Sequence, residues 1–194
     1  MAKKRDEFTA WMHRTKSNKE NAVWDKPKIT IIKGDITKVK ADAIVNAANS
    51  GLLGGSGVDW AIRQAAGLGL QQECQLLREE VYPKGLPVGK AVSTGAYKLN
   101  AKIIIHTVGP RYYKDNPELL RECYIRSIML AEENSCESIA FPAISTGAYG
   151  FPIEKSAKIV KELFDNFKSE VIQEIILVLW SDEDLRVYKR EIEE

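Results

Sequence analysis

Three short segments combine residue types that ordinary loops do not. KGDIT at 33–37 follows an apolar run, NAANSGLLGGSGVD fills 46–59, and AISTGAYGFP fills 143–152. Glycines spaced as in the second and third segments admit positive φ and bring backbone N–H groups close to a ligand. Each of these segments also leads into a helix amino terminus, which makes it a cradle for an anion. Standard phosphate motifs do not account for it: GLLGGSG is not GxGxxG, and 85–91 lacks the spacing and the Ser/Thr of a P-loop. A GxSxG nucleophile elbow is also missing from the sequence. Taken singly, the reactive residues have plain readings. Asp35 is a turn residue after glycine, Asp59 a first-turn carboxylate favoured by the helix dipole, and Tyr149 a rim or core tyrosine. His106, inside IIIHTV, reads as a hydrogen-bonded histidine of the interior.

The elements that must hold these loops follow from periodicity. β-branched runs predict strands at 29–33, 42–48, 89–97, 102–108, 138–143 and 174–180, and helical spacing predicts helices at 58–66, 69–80, 117–134, 153–168 and 182–192. Pro117 and Pro152 suit first-turn positions. Runs such as KIIIHTV and EIILVLW are apolar on both faces, as in a sheet covered on each side by helices. The expected class is α/β, a three-layer α/β/α domain with a central mixed sheet, and ligands in such sheets sit at the carboxyl ends of the strands.

Composition bounds the partners. The 194 residues suit one domain, with 28 Lys plus Arg against 27 Asp plus Glu, a formal charge of +1. That balance argues against a partner chosen by a large basic face, nucleic acid included. Residues 1–28 carry eight basic and four acidic side chains and read as a basic N-terminal extension, in which Phe8, Trp11 and Met12 suggest an apolar stripe on a short helix. Residues 29–194 are then the functional domain, mildly acidic with 20 basic and 23 acidic side chains. No apolar run approaches the roughly 18 residues of a membrane span, and the amino terminus lacks a signal-like segment, so a cytoplasmic location is expected. Cys74, Cys123 and Cys136 are too few and too scattered for a disulfide framework or zinc knuckle, so no metal is expected.

The motifs GDIT, AIVNAANSGLLGGSGVDWAIRQAAG, GKAVSTGAYKLNAKIIIHTVGP and IAFPAISTGAYGFP together resemble a macrodomain of the MacroD type, over about residues 29–180. The resemblance implies a cleft for ADP-ribose and no cofactor beyond that ligand. By position Asp35 is then the acceptor for the adenine amino group and Ile36 lines the adenine pocket. Gly54, Gly55, Ser56, Gly57 and Val58, with Ser145, Thr146, Gly147, Ala148 and Tyr149, are the two clamps on the diphosphate and distal ribose. Asn49, placed on the distal ribose, and Asp59 stand where MacroD-type hydrolases carry their catalytic Asn and Asp. Asp59 would orient or deprotonate a water held against the ligand phosphate. The implied activity is removal of mono-ADP-ribose from acidic side chains of proteins and deacetylation of O-acetyl-ADP-ribose, by a monomer. A module that binds ADP-ribose without turnover is the alternative, needing Asp35 and the clamps but neither Asn49 nor Asp59. Two departures stand out: Ser56 replaces a common glycine, and Trp60 replaces a small residue, where it would wall the leaving-group side or pack into the core.

Overall fold

Strands rich in Ile and Val, with apolar residues pointing both ways, are driven to the middle of the molecule. The computed structural model describes residues 25–193. Its strands are β1 (Lys28–Lys33), β2 (Ala43–Ala48), β3 (Ala91–Gly95), β4 (Ile103–Val108), β5 (Ser138–Pro142) and β6 (Glu174–Leu179). They form one sheet in the order β1-β6-β5-β2-β4-β3. Every neighbouring pair is parallel except β3 with β4, which is antiparallel at one edge.

Helices α1 (Val58–Ala66), α2 (Leu68–Leu76), α3 (Leu119–Glu133), α4 (Ile153–Asp165) and α5 (Asp182–Glu193) cover both faces. The two-residue period of each strand divides the core. Val45, Ile105, Phe141 and Leu177 point to the layer of α3, α4 and α5, where Tyr124, Phe164 and Tyr188 are buried. Ile44, Ile104, Ala140 and Ile176 point to the opposite layer, against Ile62 of α1 and Leu70 and Cys74 of α2. The three-layer α/β/α arrangement with a mixed sheet is therefore as expected.

Element edges differ in physical detail. α2 ends at Leu76 and widens into a π-turn over Leu77–Val81. Pro152 caps α4 from outside rather than opening it, and Pro117 precedes the cap residue Glu118 of α3, so neither proline occupies a first turn. The expected stripe of Phe8, Trp11 and Met12 lies outside the described residues. All three cysteines are buried and free. Among the described residues no helix is long and apolar enough to cross a membrane.

Candidate functional site: a cleft at the carboxyl ends of β2 and β5

The chain leaves β2 into the 49–57 loop and leaves β5 into the 143–152 loop, and these face each other across a cleft of about 240 Å³. Its lining includes Asn49, Gly55, Ser56, Gly57, Val58 and Asp59 from one side and Ser145, Gly147, Ala148 and Tyr149 from the other, with Gly109 at the base of β4. The sequence has no charged residue over 43–58 or 139–153, so among the described residues Asp59 is the one charged side chain in the lining. Anion binding here falls to backbone donors. The N–H groups of Gly55, Ser56 and Gly57, and of Gly147, Ala148 and Tyr149, have no protein acceptor among the described residues. Ser145 adds a buried hydroxyl, also without a partner, held at φ 68 in the wall.

Local folding explains how the first loop holds its shape. Asn49 accepts a hydrogen bond from Gly51 N (2.9 Å) and donates one from Nδ2 to Gly54 O (2.7 Å), closing the turn with its own side chain. Leu52 takes the left-handed conformation at φ 56, a strain offset by complete burial of its side chain against Ala48, Leu86 and Val108. At Gly55 a Cβ would lie 3.0 Å from Asp59 Oδ2, so a side chain there would press on the carboxylate. Gly109 is tighter still, since a Cβ would fall 2.0 Å from Ser145 Oγ. Ser56 fits where a glycine is common because the positive-φ positions of this loop are Leu52, Gly54 and Gly57.

Asp59 is only 2% exposed. Oδ1 accepts from Asn46 Nδ2 at 2.6 Å, and both carboxylate oxygens lie 3.2 Å from Arg63 Nε one helical turn on. Arg63 Nη2 then donates to Leu52 O (2.8 Å), tying the ion pair to the loop. Behind Asn46 the chain of bonds continues: its Nδ2 lies 3.1 Å from His106 Nδ1, and His106 Nε2 lies 3.0 Å from Thr94 Oγ1. An amide N–H can only donate, so Nδ1 is the bare nitrogen and the ring proton sits on Nε2. Full burial, and secondarily the charge of Arg63, push the His106 pKa down to about 3, which keeps the ring neutral.

A family model described as Macro domain matches residues 45–160. The chain belongs to the macrodomain family. It is 47% identical over 173 residues to a macro domain-containing protein of Caldanaerobacter subterraneus subsp. tengcongensis, covering 87% of this chain and 98% of that one. It is 44% identical over 168 residues to a protein of Salmonella newport named O-acetyl-ADP-ribose deacetylase, covering 84% and 93%. Among solved structures, a mutant of the Oceanobacillus iheyensis macrodomain with ADPR superposes with a TM-score of 0.81 at 37% identity, covering 89% of this chain and 97% of that chain.

Within this macrodomain the expected site residues do not all converge. Asn49, Gly55, Ser56, Gly57, Val58, Asp59, Ser145, Gly147, Ala148 and Tyr149 line the cleft. Gly54 and Thr146 are set back from it. Gly54 O serves Asn49, and Thr146 Oγ1 donates to Ala143 O. Asp35 stands at the end of β1, where Oδ1 accepts from Thr37 N (2.9 Å) and Thr37 Oγ1 (2.7 Å) to cap a short 3-10 turn, Ile36–Lys38. Ile36 is a core residue among Ala41, Ile44 and Ile62, not a wall of the cleft. Trp60 follows neither expectation. It is 59% exposed, beside Leu53, Gln64 and Leu68, on the outer side of the glycine loop.

Asn46 and Arg63, which hold Asp59, and Gly109, which lines the cleft, are the positions that residue-by-residue reading missed. Arg63 was legible as the i+4 partner of Asp59 on one helix. Asn46 and His106 are cross-strand neighbours in the register of β2 with β4, and that pairing is set by the sheet rather than by local sequence.

Proposed function

We propose that this macrodomain is an ADP-ribose-binding hydrolase of the MacroD type, which removes mono-ADP-ribose from aspartate or glutamate side chains and deacetylates O-acetyl-ADP-ribose. The observation that carries the reading is the buried Asp59 carboxylate in the lining of a cleft whose two loops are otherwise uncharged and rich in unused N–H donors. Those donors and the amino terminus of α1 suit a diphosphate. The name of the Salmonella relative supports the deacetylase half.

In this reading Oδ1 of Asp59 accepts from both Asn46 and Arg63, whereas Oδ2, nearer Gly55, accepts from Arg63 alone and has more lone-pair capacity left for a water. Held by Arg63 and Asn46, Asp59 orients the water, and the proton passes to the ligand phosphate. The water oxygen adds to the ester carbonyl. The bond to the distal ribose oxygen then breaks, the proton passes to that oxygen, and ADP-ribose and a free carboxylic acid leave. No cofactor enters. Asn49, committed to its loop, contributes by holding the glycine backbone against the distal ribose.

The test is release of ADP-ribose from a glutamate-modified protein and of acetate from O-acetyl-ADP-ribose. Asp59→Ala and the better-packed Asp59→Asn are each expected to lower kcat by about 100-fold or more while ADP-ribose affinity, read by calorimetry, changes little. Wild-type rates in both variants would remove Asp59 from the mechanism. Tight ADP-ribose binding with no turnover by the wild type would favour the non-catalytic reader instead.

A further inference from the structure

A second depression, about 420 Å³, opens from the cleft and shares Asn49, Gly109 and Tyr149 with it. Its outer wall is the turn after β4, with Arg111, Lys114 and Asp115. Sheet order fixes what this place means. Asp35 ends β1 near one edge, the cleft lies over β5 and β2, and the turn after β4 lies beyond β2 on the side away from Asp35. A ligand with adenine at Asp35 and its diphosphate on the two loops therefore turns its distal ribose, and any acyl group on it, toward this depression. That polarity takes Asp35 as the adenine end, as the resemblance to MacroD-type macrodomains implies, and the inference rests on it and on the function proposed above.

The depression differs electrically from the cleft. Asp115 Oδ2 accepts the Arg111 backbone N–H at 2.8 Å, which shapes the turn, and the Arg111 guanidinium stands 5.3 Å from the centroid of the Tyr149 ring. Among the described residues no ion pair within 4 Å joins the Arg111 guanidinium or the Lys114 ammonium to a carboxylate. The cleft lining itself carries no Lys or Arg, whereas the depression sets two cations against the single carboxylate of Asp115, so a net positive charge adjoins the cleft.

We propose that this depression is a subsite for the polypeptide bearing the ester, and that Arg111 and Lys114 select modified proteins with acidic residues beside the esterified side chain. O-acetyl-ADP-ribose carries no polypeptide flank and so does not use the subsite. A bare peptide suits the place better than nucleic acid because the body of the chain, residues 29–194, is mildly acidic and offers no extended basic track.

Two peptides are compared, each carrying one ADP-ribosylated glutamate, one flanked by Glu and Asp and the other by Lys. Their affinities are read by calorimetry on amide-linked analogues that resist hydrolysis, and turnover is read on the ester forms. The acidic analogue is expected to bind about fivefold more tightly at low salt, with the gap closing at about tenfold higher salt. Lys114→Glu abolishes or reverses the preference while affinity for free ADP-ribose stays within about twofold. Equal affinities for the two analogues, or a preference that survives both salt and Lys114→Glu, overturns the inference. So does tighter binding of an ADP-ribosylated, 5′-phosphorylated oligonucleotide than of either peptide. Loss of turnover with the flank preference intact would sink the hydrolase reading and leave the subsite standing.

Discussion

Asp59 gains its position from residues far less conspicuous than itself. Buried charge is tolerated only when paired and hydrogen-bonded, and here Arg63 supplies the pairing and Asn46 the hydrogen bond. Gly55 acts by being absent of side chain: a Cβ 3.0 Å from Asp59 Oδ2 and 3.4 Å from Asn49 Nδ2 would occupy the space between loop and carboxylate. Gly55→Val is therefore expected to weaken ADP-ribose binding by about tenfold or more, because the branched side chain displaces the loop from the ligand. Calorimetry on the folded variant measures it, and an unchanged affinity would mean that the loop is free to retreat without loss. The carboxylate and the glycines were legible as chemistry-bearing types. Their distances were not, because a one-residue change in loop path moves such atoms by ångströms without altering composition.

At the scale of the element, the 49–57 loop is a stiff object rather than a flexible flap. Several contacts pin it: the Asn49 side-chain bonds, the burial of Leu52, the bond from Arg63 Nη2 to Leu52 O at 2.8 Å, and the bond from Leu86 N to Ser50 O at 2.9 Å. Stiffness is what lets unused N–H groups point at a ligand before it arrives. Asn49→Ala removes two hydrogen bonds and is expected to destabilise the fold by about 1–3 kcal/mol and to speed amide exchange over the loop more than elsewhere. Exchange unchanged across 50–57 would show that Leu52 and Leu86 hold the loop without it. Strand and helix positions were legible here because period two and period 3.6 are written in the sequence. The positive φ at Leu52 was not: a leucine seldom tolerates it, and only the hydrophobic slot formed by Ala48, Leu86 and Val108 explains it.

At the scale of the molecule, one hydrogen-bonded line runs from the cleft through the sheet, from Asp59 on α1 to Asn46 on β2, His106 on β4 and Thr94 on β3. Asn46 is fixed by its two neighbours, since turning its amide would aim Oδ1 at both a carboxylate and a bare ring nitrogen. Protonating His106 would set two donors face to face. Its folded pKa of about 3 lies below the ordinary 6.5, so its contribution to stability is complete above pH 6.5 and is lost as pH falls toward 3. By pH 5 this group alone is expected to lower the unfolding free energy by about 2 kcal/mol. Urea melts between pH 7 and 4, with the His106 ring followed by NMR, check this: a ring that titrates near 6.5 in the folded protein would refute it. The sequence by itself determined the fold class, the two glycine loops and the neutrality of 43–58 and 139–153, because these depend on local periodicity, backbone freedom and residue type. Only the tertiary structure decided that Asn46 holds Asp59 from β2, that Ile36 is core, that Trp60 faces outward, and that Arg111 and Lys114 line a depression beside the cleft. Those facts depend on strand order, register and the meeting of segments distant in the chain, and such long-range packing leaves no periodic trace in any one of them.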